Sequence, residues 1–230
     1  MSAPYTHTDT DARLQHLLME FACGSLNTAE ALVISSYTSL NPAAEKELSF
    51  YEDIGGALID RISPTEVSDT CLDHILNVIE TQDDNRHITD ATPAIQPTIG
   101  KESLPPAIAH YVDCEHLCDL KWKKLFKGID VIDIPVSDDT STVRLMRFAP
   151  GFVAPEHGHH GGEMTVTLSG SYHDKLGHYK RGDIEIIQDD DGHHQPTACP
   201  EHGCICLVST FAPLRFKKPL HRLVNQVFHF

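Results

Sequence analysis

The stretch GFVAPEHGHHGGEMTVTLSG, residues 151–170, decides how the second half of the chain is read. His157 and His159 stand two apart, so on a strand both side chains leave the same face. Gly161 and Gly162 permit a tight reversal, and Glu163 opens the next strand. Alternation there separates Met164, Val166 and Leu168 from Glu163, Thr165 and Thr167. A strand–turn–strand unit of this kind brings two imidazoles and a carboxylate to one point inside a barrel. Further on, a Gly182-Asp183 turn and the short run IEII lead to QDDDGHHQP. His194 is the preferred fourth ligand there, with His193 as its competitor. A mixed nitrogen and oxygen set suits Zn²⁺, Fe²⁺, Mn²⁺ or Ni²⁺. Zinc is the first choice for the single ion expected at His157, His159, Glu163 and His194.

Outward from this unit the texture stays β. KWKKLFKGIDVIDIPV, TVRLMRFAPG, GDIEIIQDD, CICLVSTFAPLRF and LVNQVFHF are short β-rich runs punctuated by Gly, Pro and Asp. LPPAIAHYVD ahead of them reads as one short helix. Strands at this spacing predict a sandwich or a jelly-roll barrel. The first 80 residues read differently. Leu14, Leu17, Leu18, Phe21 and Ala22 mark one helix face, stopped near Cys23-Gly24. Asn27 to Glu30 opens a second helix, and Asn41-Pro42 opens a third. Ser63-Pro64-Thr65-Glu66 is expected to start a fourth, with Val67, Cys71, Ile75, Val78 and Ile79 on its apolar face. The polar, aperiodic segment 83–103 reads as a linker. The expected fold class is α+β: a small helical bundle over 1–82, that linker, and an all-β domain over 104–230.

The chain has 230 residues and a net charge of −15. That charge repels a phosphate backbone, so direct nucleic-acid binding is not expected, while a basic protein partner is attracted. No run reaches the roughly 18 apolar residues of a membrane span. The start MSAPYTHTDTDAR lacks the apolar core of a signal peptide. A cytoplasmic protein is expected. The seven cysteines then read as thiols rather than disulfides. The histidines gather at His157, His159, His160, His193, His194 and His202, as a metal site would have them and a surface scatter would not.

The spacing Gly151-x5-His157-x-His159-x3-Glu163-x6-Gly170 matches the first motif of the cupin superfamily without a gap. The second motif is looser: Gly182 and His194 fit, but no proline precedes the histidine. The likeness goes further. LPPAIAHYVD, Trp122, LMRFAPG, the His-x-His-Glu block, the run from Tyr179 to Asp183, His194-Gln195-Pro196 and the run from Cys204 to Leu207 resemble the cupin domain of ChrR-type anti-sigma factors. LLMEFACGSLNTAEALVISSYTSLNPAAEKELSFYEDIGGALI resembles the sigma-binding domain of that family. The resemblance implies a transcriptional regulator. Its helical domain would sequester an ECF sigma factor, and its metal-bound cupin would sense oxidative stress, as singlet oxygen or peroxide. A homodimer stays open.

One departure stands out. Where the family carries a zinc-binding His-x3-Cys-x2-Cys motif, this chain has Tyr37, Asn41 and Ala44. His7 or His16 alone cannot replace those ligands, so no zinc is expected in residues 1–80. Outside the main cluster, His110, Cys114, His116 and Cys118 read as a possible second zinc site, with buried thiols the default. Cys204 and Cys206 share a strand face and read as core, with a redox pair as the alternative. Asp189, Asp190 and Asp191 read as a solvated turn rather than a calcium loop. The alternative to the regulator is a metal-dependent cupin enzyme, a dioxygenase or isomerase, or a small-ligand sensor.

Overall fold

A computed structural model describes residues 7–82, 102–137, 141–159, 161–188, 192–211 and 215–216. Four helices come first: α1 (His7–Ala22), α2 (Thr28–Leu40), α3 (Pro42–Ile59) and α4 (Cys71–Gln82). Helix α1 ends at Gly24, whose φ of 67° needs no Cβ. The helix start expected at Asn27 to Glu30 is there, and Asn27 and Glu30 close on α2 in both directions as a capping box. Asn41 then ends α2 and caps α3, its side-chain oxygen accepting from the amides of Ala43 and Ala44. Helix α4 departs from expectation, since it starts at Cys71 rather than near Ser63. No helix among the described residues is long and apolar enough to cross a membrane.

The β half opens with α5 (Pro106–Val112) and a 3-10 turn at Leu117–Asp119. Ten strands follow: β1 (Lys123–Phe126), β2 (Ile129–Ile134), β3 (Thr142–Phe148), β4 (His157–Gly158), β5 (Glu163–His173), β6 (His178–Lys180), β7 (Ile184–Ile187), β8 (Thr197–Ala198), β9 (Cys204–Thr210) and β10 (Arg215–Phe216). The main sheet runs β1-β2-β3-β9-β5-β6, with β7 and β8 also pairing to β5, while β10 pairs with β4. All these pairings are antiparallel. The strands form a cupin-type sheet that does not close into a continuous ring among the described residues. The strand expected in LVNQVFHF lies outside them, as do Asp189, Asp190 and Asp191. Most of the expected linker does too; its last residues, Glu102 and Ser103, are bonded to Ser169 and Arg181.

The sheet has two occupied faces. Val143 and Leu145 of β3, Met164, Val166 and Leu168 of β5, Ile184 and Ile186 of β7, and Ile205 and Leu207 of β9 share one core with Leu18, Val33 and Ile34 of the helices. Alternate residues of the same strands, among them Met146, Cys204, Cys206 and Val208, build a second cluster on the other face. This is the period-two pattern of a sheet buried on both sides. Each fully buried aliphatic side chain in the shared core contributes about 1.5–3 kcal/mol.

A bulge modifies the alternation. The β5–β9 register shifts between Thr167 and Ser169. Leu168 is the extra residue, so Thr165 before it and Tyr172 after it end on the same face of the sheet. At Gly170, φ is 68° and a Cβ would lie 2.2 Å from the Gly203 carbonyl oxygen. The two backbones approach there as only glycine allows.

Candidate metal centre

Strand β4 presents His157, the turn after it presents His159, and an isolated bridge sets His194 opposite His157. Backbone hydrogen bonds run both ways across that bridge, at 3.0 and 2.8 Å. All three imidazoles are buried, and their ligand nitrogens lie within 4.8 Å of one another. His194 Nε2 is 3.0 Å from His159 Nε2 and 3.1 Å from His157 Nε2. In a tetrahedral site with nitrogens roughly 2.0–2.1 Å from the ion, neighbouring nitrogens stand about 3.3 Å apart. The observed spacing needs only a few tenths of an ångström of expansion, so the donor set fits a borderline divalent ion.

The far nitrogens fix the tautomers. His157 Nδ1 donates to the Pro155 carbonyl at 2.7 Å, and His194 Nδ1 donates to Asp174 Oδ2 at 2.7 Å. Both Nε2 atoms are then left with the lone pair a metal needs. Asp174–His194 is the carboxylate–histidine pairing that orients metal ligands and raises their basicity. Asp174 is itself held by the amides of Leu176 and Gly177.

Burial and the neighbouring histidine His194 push the His157 pKa down to about 4, so His157 is neutral at physiological pH. For His194 burial is the largest influence and pulls downward. The hydrogen bond to Asp174 and the charges of Glu163 and Glu185 outweigh it, and its pKa is raised. Burial works upward on Asp174, yet the bonds from His194, Leu176 and Gly177 leave its carboxyl below the usual range.

Glu163 is close but not convergent. Its Oε1 accepts from Thr165 at 3.0 Å and its Oε2 stands 3.6 Å from His159 Nδ1, on the far side of that ring from the shared nitrogens. His193 is half-buried with its ring against Gly158, apart from the three-nitrogen group. Of the two candidates for the fourth position, His194 is the one whose ring nitrogen meets the other two.

Asp174, Tyr172 and Glu185 stand at the site without a motif in the sequence to mark them. Glu185 is 3 % exposed, receives a 2.7 Å hydrogen bond from the Tyr172 hydroxyl, and has its Oε1 without a hydrogen-bond partner. Burial, then the nearby charge of Asp174, pushes its pKa up to about 8. The one available signal was a lone acid inside the apolar run IEII. Its strand partner is Thr165, so it faces the same side as the site.

Cys204 and Cys206 are buried on that face, and all seven cysteines are free thiols. A hydrogen bond to Cys204, then burial, raises the Cys206 pKa. Around His110, the expected buried thiols are met only in part: Cys114 is half-buried and Cys118 is exposed. Among the described residues, the potential ligand groups are the three histidines and a set formed by Asp174, Glu185 and His194. In the helical half, Tyr37 and Ala44 are buried core, and Asn41 is the cap already described.

Residues 112–213 match the family model described as the ChrR cupin-like domain. The chain is 31% identical over 212 residues to the anti-sigma-E factor ChrR of Cereibacter sphaeroides, covering 92% of this chain and 94% of that one. The crystal structure of Rhodobacter sphaeroides SigE in complex with the anti-sigma ChrR matches with a TM-score of 0.66 and 28% identity, over 85% of this chain and 96% of that one.

Proposed function

Because this chain belongs to the ChrR family of anti-sigma factors, we propose that its helical half sequesters an ECF sigma factor, and that its cupin half governs release in response to an oxidant. The observation that carries this reading is an apolar face left exposed among the described residues. Beyond Leu48, helix α3 leaves Phe50, Ile54, Leu58 and Ile59 between 45% and 67% exposed. Over residues 71–79, helix α4 has no buried residue and exposes Leu72, Ile75, Leu76 and Ile79. Apolar side chains at helical spacing are anchors for a partner, and contiguous patches of this kind mark protein interfaces. The partner is a DNA-binding protein, whose basic surface a chain of net charge −15 attracts. Substituting Leu58→Asp and Ile75→Asp, both at exposed positions, is expected to weaken binding of the co-expressed sigma factor more than tenfold by calorimetry. Unchanged affinity would sink the reading.

The sensing centre in this proposal is one zinc ion on His157, His159 and His194, with Glu163 turning in as fourth ligand. Four neutral or singly charged donors of this kind hold Zn²⁺ without redox chemistry of its own. Singlet oxygen attacks imidazole, and loss of a ligand ring alters the face of the sheet whose other side seats the helices. Elemental analysis of the purified chain is expected to give one zinc per molecule, and exposure to a singlet-oxygen generator is expected to free the sigma factor.

A further inference from the structure

The cavity that His157 and Glu163 line is larger than a closed four-coordinate ion needs. It measures about 320 Å³, room for about ten liquid waters. That places it at the lower end of small-molecule sites. Its walls are apolar, with Leu125, Ile129, Met146, Phe148, Phe152 and Val208, and His157, Glu163, Tyr172 and Glu185 line it too. Phe126 and Val153 line it while remaining 61% and 52% exposed, so they flank its mouth.

Three features define what fits. First, Arg144 is the one Lys or Arg on the lining, and its Nε already donates to Asp133 at 2.8 Å, so beyond the proposed ion the walls bring no second cation dedicated to a doubly charged phosphate. Second, a divalent ion on three neutral imidazoles and Glu163 carries one positive charge, which Asp174 behind His194 offsets from the far side, so the ligand brings at most a single negative charge among these apolar walls. Third, the buried Glu185 Oε1 lacks a hydrogen-bond partner, and Glu185 and His194 have ligand atoms within 4.8 Å. A hydroxyl both gives and accepts hydrogen bonds, so it serves that oxygen in either protonation form.

Resting on the proposed metal at this centre, we infer that the cavity binds a 2-hydroxycarboxylate with an apolar side chain. The carboxylate and hydroxyl oxygens chelate the ion, the hydroxyl also meets Glu185, and the apolar chain runs toward Phe126 and Val153. The cupin half is then a receptor for a small amphipathic acid as well as a metal site.

The test uses the full chain, with zinc content measured before and after calorimetric titration of 2-hydroxyoctanoate, octanoate and 1,2-octanediol. The expected result is 2-hydroxyoctanoate binding at least tenfold tighter than either other probe, with the zinc retained. Val153→Trp, at the exposed mouth, is expected to weaken it at least tenfold at unchanged zinc content. Glu185→Leu is expected to bring 2-hydroxyoctanoate and octanoate within threefold of each other. A chain that holds one zinc yet binds octanoate equally well, binds no probe, or surrenders its zinc to 2-hydroxyoctanoate overturns the ligand assignment alone. A chain that takes up no zinc overturns the metal reading and this inference with it.

Discussion

His194 works through both of its nitrogens. Nε2 joins the other two imidazoles while Nδ1 is locked on Asp174. Removing the carboxylate leaves the ligand but frees its tautomer and ring angle. Asp174→Ala is therefore expected to lower zinc affinity about 10–100-fold in a chelator competition, and Asp174→Asn to lose less. Glu185 makes a pH-dependent contribution. Its pKa rises from 4.5 to about 8 on folding, so between those values the metal-free native chain keeps a proton that the unfolded chain has released. The stability linked to it is fully present below pH 4.5 and is lost as pH rises toward 8, at up to about 1.4 kcal/mol per pH unit. His157 runs the opposite way between about 4 and 6.5, gaining stability as pH rises. The difference between wild type and Glu185→Gln isolates the Glu185 slope, which the variant is expected to lack in urea unfolding at pH 5 and 8. The histidine ligands were legible because the motif spacing is local. Asp174 and Glu185 were not, since an acid in the loop after β5 and a lone acid on the short β7 read equally well facing solvent, and only long-range pairing decides.

At the scale of elements, Asn41 does three jobs: it ends α2, caps α3, and donates from its side-chain nitrogen to the Gly182 carbonyl at 3.1 Å. Asn41→Ala is expected to cost about 1–2 kcal/mol in denaturant unfolding. Asn41→Asp, which keeps the cap acceptor and drops the donor, should fall between the two. Helices α1 to α3 were readable from their apolar spacing and their caps. The start of α4 was not: Ser63 to Glu66 has the residues of a cap, but that stretch is exposed and the helix begins only at Cys71. The bulge at Leu168 was also hidden, because strict alternation reads straight through an extra residue. That is why Thr165 was placed correctly and Tyr172 was not placed at all.

For the whole molecule, the shared core matters more than any single contact. Helix α2 sits on β5 and β9 through Val33 and Ile34, and Thr28 and Ser137 meet at 3.2 Å at its start. In the helical half, Tyr37 and Ala44 are buried in the core shared with the sheet and Asn41 is the cap between α2 and α3. Occupancy of the proposed metal site is expected to be felt by the helices through that shared core. Stripping the proposed zinc with a chelator is expected to lower the thermal midpoint of the full chain by about 5–10 °C, from a loss of about 2.7 kcal/mol at a hundredfold excess of free metal over Kd. It should also move the near-ultraviolet signal of Tyr37. Two separate transitions, one insensitive to metal, would show the halves to be independent.

The close approach of Gly170 and Gly203 has a consequence for how the chain tolerates change. Residues facing the cavity and residues facing the helices alternate along β9, one step of about 3.3 Å apart. A single inserted or deleted residue in that strand would turn it inside out, sending Cys204 and Cys206 to the helices and Ile205 and Leu207 to the imidazoles. The glycine pair, where a Cβ would meet backbone at 2.2 Å on either side, locks the phase of the strand in place. Point substitutions are expected to retune either proposed function by itself; an indel within Cys204–Thr210 is expected to abolish both at once.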